Sequence, residues 1–180
     1  ALAHSVPILL AQPPSLNGCQ RFLPNAAITS LIVDHSISAG FRTKTASGWN
    51  VDISNTFGKN LFHYFIKGTL NASLEEASPT EFDAGGHTLS QNTVNLDLSK
   101  NYDNVLNGFN LAFGAEYRTE QFTIFAGEEG SYATYDVNGQ PITDPLNQTI
   151  PNDPVTGDPR PGGSQGFPGY SPANEVNRSR

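Results

Sequence analysis

The segment from Phe109 to Glu120 has the clearest alternation of apolar and polar positions in the chain. Its even positions are small, polar or charged, and its odd positions are apolar up to Tyr117: Phe109, Leu111, Phe113, Ala115 and Tyr117. Because successive side chains on a strand point to opposite faces, this pattern predicts a strand with one apolar and one polar face. A helix would mix the two sets on every side. The segment exceeds the roughly 5–6 residues of an ordinary strand and matches the roughly 9–11 residues of a strand that crosses a bilayer.

The same period of two recurs upstream of this segment. Apolar positions alternate at Ile37–Phe41, Trp49–Ile53, Phe62–Leu70 and Val94–Leu98. Small, polar or glycine-containing stretches separate them and predict connections at 43–48, 58–60, 71–86 and 103–108. The apolar phase slips near Gln121, which predicts a bulge or a change of the apolar face. No helical pattern intervenes, so the sequence predicts an all-β fold: an antiparallel meander of four to five long strands over residues 28–126.

Residues 127–180 have a different composition. Eight of the thirteen prolines lie between Pro141 and Pro172, among Gly, Asn and Asp. Such a segment is a poor strand former, and its length favours a functional or disordered loop. The Asn138-Gly139 pair predicts one local hairpin inside it. The sequence therefore predicts a long irregular loop over 127–180.

Residues 1–27 receive no role from their sequence; they are interpreted as a loop or as non-native sequence. Leu16-Asn17-Gly18-Cys19 faintly resembles a lipoprotein cleavage site, and a single cysteine excludes an internal disulfide framework. The chain lacks methionine altogether, which suggests a piece of a longer protein.

The net charge of −7 argues against a nucleic-acid partner, because no basic stripe is present to neutralise phosphates.

No apolar run approaches the roughly 18–20 residues of a membrane helix, whereas alternating strands remain compatible with a membrane barrel. An open sheet of four or five strands would leave backbone groups unpaired in lipid. The strands are therefore predicted to close with others outside this sequence into a transmembrane β-barrel. With 127–180 on the outside, connections 58–60 and 103–108 fall on the periplasmic side, while 43–48 becomes a short external turn.

Several motifs, in this order, resemble TonB-dependent receptors of the outer membrane, and the resemblance runs from about Ile32 to Arg180. They are Gly48-Trp49-Asn50, Gly58-Lys59-Asn60, Thr69–Leu74, Ser78–Gly86, Asn110–Arg118, Ala126-Gly127-Glu128 and Gly163–Pro172. The resemblance implies a ligand-gated transporter of the bacterial outer membrane that takes up an iron chelate, a vitamin or a glycan. In this family a plug domain contacts the TonB complex, and neither plug nor contact motif is visible here. The chain is thus expected to be a mid-barrel fragment, without a cofactor of its own.

Three sets of candidate residues follow. Glu116, Arg118 and Glu120 share the polar face of their strand; they are interpreted as a lumen wall or as an ordinary cross-strand salt-bridge ladder, with structure favoured over substrate contact. The candidates for the lipid face are Phe62, Tyr64, Ile66, Leu111, Phe113 and Tyr117. The candidates for ligand contact in the long loop are Tyr132, Tyr135, Phe167 and Tyr170, for which packing within the loop is an equal alternative.

Other chemistry has weaker support. The four histidines lack ligand spacing, and the Asp136 and Asp153 segments are interpreted as turn formers rather than calcium loops. No nucleophile elbow or phosphate loop occurs, so catalysis is not expected. The alternative function is a soluble all-β surface-binding or adhesion module that uses 127–180 to recognise a partner. That alternative buries Phe62, Tyr64, Ile66, Leu111 and Phe113 in a two-layer core.

Overall fold

The computed structural model describes residues 2–9 and 26–180, which form one six-stranded antiparallel sheet in sequential order. The strands are β1 (Leu2–Leu9), β2 (Ala27–Lys44), β3 (Asn50–Lys67), β4 (Glu81–Tyr102), β5 (Phe109–Phe125) and β6 (Val176–Ser179). The predicted all-β antiparallel meander is confirmed. The four central strands are 17 to 22 residues long, about three times the usual length. Within the described residues the sheet is open, with β1 and β6 at its two ends.

The predicted turn at 58–60 is wrong, because β3 runs through it without interruption. Gly58 pairs with Ser36 on one side and with Gln91 on the other, so extended backbone is held by ladders on both flanks. The predicted connections at 43–48 and 103–108 are confirmed as tight turns, at Thr45–Trp49 and after Tyr102. Both are at the end of the sheet remote from 127–171. The connection predicted at 43–48 is therefore present, but it lies at the same end of the sheet as the turn after Tyr102 and not at the end that carries 127–171, where the sequence implied it.

The phase slip near Gln121 is a change of the apolar face and not a bulge. The β4–β5 ladder runs without a register shift from the Gly86–Phe125 pair to the Tyr102–Phe109 pair. A register shift occurs elsewhere, between His63 and Phe65 where β3 meets β4.

The chain between β3 and β4 and the chain between β5 and β6 fold together over one end of the sheet; we call residues 68–80 and 126–175 the cap. The cap contains helix α1 (Glu129–Tyr132) and two 3-10 helices, Ala72–Ala77 and Pro172–Asn174. The predicted hairpin at Asn138-Gly139 is confirmed by the Tyr135–Pro141 bridge and by the positive φ of Gly139, 72°. Segment 127–180 is thus folded, although it is largely irregular.

Buried polar groups hold the cap together. The amide of Asn71 is buried, and its Nδ2 donates to the carbonyl oxygens of Gly130 and Ala133, each at 2.9 Å. Its Oδ1 accepts from the hydroxyl of Ser73 at 2.7 Å. The carbonyl of Ser131 accepts from the backbone N–H groups of Ser164 and Gly169. A segment too poor in apolar residues for a core of its own is therefore ordered by hydrogen bonds between distant stretches.

Residues 2–9 form β1, antiparallel to the first half of β2, where the sequence suggested a loop or non-native chain. The Cys19 motif lies outside the described residues. Among residues 2–9 and 26–180, no helix has the length and apolarity needed to span a membrane.

Candidate functional site

Cross-strand partners in an antiparallel sheet share a face, so the register sorts the long strands into two faces. Phe113 pairs with Leu98, which pairs with Val51; this side is called the Phe113 face. Arg118 pairs with Thr93, which pairs with Thr56; this side is called the Arg118 face. Every residue of β2 to β5 belongs to one of these two faces.

The Phe113 face carries a continuous apolar band in the half of the sheet remote from the cap. Its larger apolar members are Ile37, Phe41, Val51, Ile53, Phe57, Val94, Leu96, Leu98, Leu111, Phe113 and Tyr117. Several are strongly exposed, with Ile37 at 68%, Phe113 at 57% and Tyr117 at 69%. Within the part of the chain that the structure describes, no second layer covers this band. An uncovered apolar surface of this extent marks an interaction surface.

A polar row bounds the band at the cap side, and a row with a single lysine bounds it at the other end. At the cap side the row consists of His35, Lys59, Ser90 and Gln121. At the other end Lys100 pairs with Leu111 and lies beside Trp49. Ser90 and Lys100 are ten positions apart on β4. Ten steps of about 3.3 Å give about 33 Å along the strand; the strands of a membrane barrel are tilted by roughly 35–45°, and at that tilt the same length would span about 23–27 Å. The apolar band of a membrane barrel is about 25 Å tall.

Two amides inside the band are joined by a hydrogen bond. The Nδ2 of Asn55 donates to the Oδ1 of Asn92 at 2.7 Å, and also to the carbonyl oxygen of Thr93 at 3.2 Å. An unpaired polar group in an apolar medium costs several kcal/mol. This arrangement lowers the cost of two polar side chains in an otherwise apolar band.

All charged side chains of the same span lie on the Arg118 face: Arg42, Lys44, Asp52, Asp97, Glu116, Arg118 and Glu120. The predicted grouping of Glu116, Arg118 and Glu120 on one face is confirmed. Arg118 contacts Glu116 at 2.8 Å along the same strand, and Arg42 contacts Asp52 at 2.5 Å across strands. Over this span the Arg118 face is therefore charged, and the opposite Phe113 face carries no charge.

The prediction that six residues share one lipid-facing side is wrong. Leu111, Phe113 and Tyr117 lie on the Phe113 face, whereas Phe62, Tyr64 and Ile66 lie on the Arg118 face. Ile66 is fully buried, in a cluster with Ile28 and Ala84 that the cap covers. The physical reason is that β3 does not turn at 58–60. Its odd and even positions keep their faces, and the apolar positions change from odd to even near Asn60.

The aromatic side chains at the cap end form a cluster on the Arg118 face. Tyr64 lies 5.8 Å from Phe167 and 6.4 Å from Tyr170, and His87 stacks on Phe62 at 5.1 Å between ring centroids. Two of the four ligand-contact candidates, Phe167 and Tyr170, therefore pack onto the sheet. Sequence reasoning missed His87; its register position opposite Phe62 becomes visible only once β3 and β4 are aligned.

The other two loop candidates lie in the cap itself. Tyr135 is buried and its hydroxyl donates to Glu129 at 3.0 Å. Burial and this hydrogen bond raise the pKa of Tyr135 to about 12. Tyr132 is half-buried at the end of α1. The contacts of these tyrosines are within the cap, so their role in ligand contact stays a prediction.

The Asp136 and Asp153 segments are turn formers, as predicted. The Oδ1 of Asp136 accepts from the backbone N–H groups of Asn138 and Gln140, at 2.8 and 2.9 Å. Asp153 accepts in the same way from Val155 and Thr156. These bonds lower the pKa of both carboxyl groups. Across residues 2–9 and 26–180, no three His, Cys, Asp or Glu side chains are placed to hold a metal ion.

Comparison with protein-family models, curated proteins and solved structures finds no match to this chain.

Proposed function

We propose that β2 to β5 form part of the wall of a larger β-barrel in the bacterial outer membrane, with the Phe113 face against lipid and the Arg118 face toward the lumen. The protein that contains this wall is a TonB-dependent receptor, which takes up an iron chelate, a vitamin or a glycan. Its plug domain, which is not in this chain, would contact the TonB complex. The family assignment comes from the sequence motifs, and the membrane assignment from the geometry.

One observation supports the membrane assignment: between the rows of Lys59 and Lys100, charged side chains are confined to one face of the sheet. All seven charged residues lie on the Arg118 face, and none lies on the Phe113 face between the rows of Lys59 and Lys100. A charge on the lipid side near the bilayer midplane costs roughly 2–4 kcal/mol for Arg or Lys, so a membrane wall excludes it. A sheet with water on both sides has no such constraint.

The length of the band supports the same assignment, because about 23–27 Å agrees with the thickness of a barrel's apolar belt. The ends of the band are aromatic, with Phe57 and Tyr117 toward the cap and Trp49 and Phe109 at the other end. Aromatic girdles flank the belt of outer-membrane barrels. In this arrangement the cap lies on the external side, because long loops of such barrels are external and short turns periplasmic.

The alternative of a soluble binding module needs a second layer that buries the apolar side chains of the sheet in a two-layer core. The cap covers Ile66 and its neighbours, which agrees with that alternative only at one end of the sheet. Phe113 and Tyr117 are exposed by more than half. A soluble domain rarely leaves so large an apolar area open, and this counts against the module.

The experiment compares two alanines on opposite faces of β5, Ala115 on the Phe113 face and Ala112 on the Arg118 face. In the full protein that contains this chain, Cys19 is replaced by serine and a spin label is attached at Ala115→Cys or at Ala112→Cys. In reconstituted bilayers, power-saturation EPR measures collisions with oxygen and with a water-soluble nickel complex. We expect the label at 115 to favour oxygen and the label at 112 to favour nickel.

Equal accessibility of the two labels to nickel would overturn the membrane assignment, because both faces would then meet water. A third label at Ala39→Cys, on the Phe113 face of β2, is the replicate on another strand. Uptake of a candidate ligand by cells, abolished by loss of the TonB complex, tests the receptor assignment separately.

A further inference from the structure

At the end of the apolar band remote from the cap, one cation lies among aromatic rings. The Nζ of Lys100 is 4.8 Å from the ring centroid of Tyr102 and 5.9 Å from that of Trp49. Trp49 in turn stacks on Phe113 at 6.3 Å, and Tyr102 contacts Phe109 at 6.3 Å. These aromatic side chains and Lys100 lie at one end of the Phe113 face, and we call them the Lys100 site.

Lys100 has no carboxylate partner at ion-pair distance among the described residues. Its stem lies over the Trp49 turn, where a Cβ on Gly48 would be 3.6 Å from the Cε of Lys100. Gly48 has a φ of +84° in that turn. The ammonium group itself lies beside the rings of Trp49 and Tyr102 at the edge of the apolar band, where a lysine reaches from an apolar region to a polar one.

We propose that the Lys100 site binds the phosphate headgroup of an anionic phospholipid in the membrane leaflet remote from the cap. This inference rests on the proposed function, because it needs the Phe113 face against lipid. The ammonium group offers a positive point charge to the phosphate, and lysine binds phosphate in this way. The rings of Trp49 and Tyr102 hold the cation and suit the depth at which headgroups meet acyl chains.

The positive charge of Lys100 favours an anionic phospholipid as the ligand of the Lys100 site. The row at the other end of the band also has a lysine, Lys59, but the described structure gives it no ring contact of this kind. Lys44 lies at the same end as Lys100 but on the Arg118 face, where it would meet the lumen. Lys100 is therefore a cation that lies beside aromatic rings on the proposed lipid side of the sheet. Lys44, at the same end but on the opposite face, is its matched control.

Trp49 is the only tryptophan of the chain and lies within the site, so it reports on lipid directly. The full protein is reconstituted in phosphatidylcholine vesicles that contain brominated phosphatidylcholine or brominated phosphatidylglycerol. The quenching of Trp49 is taken as the difference between the protein and its Trp49→Phe variant. We expect phosphatidylglycerol to be preferred about fivefold, the ratio that corresponds to roughly 1 kcal/mol for one lysine at an anionic surface.

The variants separate the possible results. We expect Lys100→Gln to remove the preference, Lys100→Arg to keep it and Lys44→Gln to leave it unchanged. Equal quenching by the two lipids, or a preference that survives in Lys100→Gln, overturns the Lys100 site and leaves the membrane assignment intact. Absence of quenching by either lipid overturns the membrane assignment itself.

Discussion

The buried side-chain amide of Asn71 donates a 2.9 Å hydrogen bond to the carbonyl oxygen of Gly130, which is 59 positions further along the chain. This bond joins the connection between β3 and β4 to the connection between β5 and β6. Two largely irregular stretches thereby become one folded cap.

The first prediction concerns this bond. Asn71→Ala leaves the carbonyl of Gly130 and the donors of Ser73 without this partner. An unsatisfied buried group costs about 1–3 kcal/mol, so we expect the cap to open locally while the sheet persists. Hydrogen exchange should then accelerate at 130–135 and remain slow in β3 and β4. Asn104→Ala, in the exposed turn after β4, is the control, and unchanged exchange in the cap of Asn71→Ala would contradict the prediction.

The second prediction uses two neighbours on opposite faces of β5. Phe113→Arg places a charge within the apolar band, which we expect to cost roughly 2–4 kcal/mol in a membrane and to reduce assembly sharply. Ala112→Arg adds the same side chain one residue away on the Arg118 face, where we expect little effect. Heat-modifiable migration of the full protein on a gel measures assembly. Similar assembly of both variants would contradict the assignment of the Phe113 face to lipid.

The third prediction concerns the close approach of β3 and β4 beside the register shift. A Cβ on Gly86 would lie 2.0 Å from the carbonyl oxygen of Phe62, so Gly86→Ala forces the backbone to move. Such crowding typically costs about 1–3 kcal/mol. At Gly58 the nearest atom to a Cβ is the carbonyl oxygen of His35 at 3.9 Å, an ordinary contact. Unfolding by urea in detergent should therefore show a loss of stability in Gly86→Ala and a much smaller change in Gly58→Ala.

The fourth prediction is a pH dependence of the cap hairpin. The backbone N–H of Gln140, followed by that of Asn138, lowers the pKa of Asp136 in the folded state. A lowered folded pKa means that the stabilisation is complete above the unfolded value of about 3.9 and is lost as the pH falls through the folded value. Exchange at the amides of Asn138 and Gln140 should accelerate below about pH 4 relative to the intrinsic rate.

Two variants check the source of this dependence. In Asp136→Asn the side-chain oxygen remains an acceptor but no longer titrates, so we expect the extra acceleration to disappear. Asp103→Asn changes a carboxylate for which the described structure shows no backbone hydrogen bond, and we expect it to have no effect on the hairpin. An acid response that persists in Asp136→Asn would assign the effect to another group.

The sequence by itself determined that the chain forms amphipathic strands that no long helix separates. Alternation is a local property: Phe109 to Tyr117 show it because successive side chains must point to opposite sides of any extended chain. The turns with strong local chemistry, such as Asn138-Gly139, were predictable for the same reason. Gly58-Lys59-Asn60 has a similar composition, yet ladders with β2 and β4 on both sides keep it extended.

Only the tertiary structure decided which side chains share a face across strands. Tyr64 and Phe113 both looked like members of one apolar face, but the continuous β3 and the register with β4 place them on opposite sides. The ordered fold of segment 127–180 could not be predicted either, because its contact partners Asn71 and Tyr64 lie far away in the sequence. The alternation of apolar and polar residues distinguishes the two faces of a single strand. Only the register between paired strands determines which of those faces lie on the same side of the sheet.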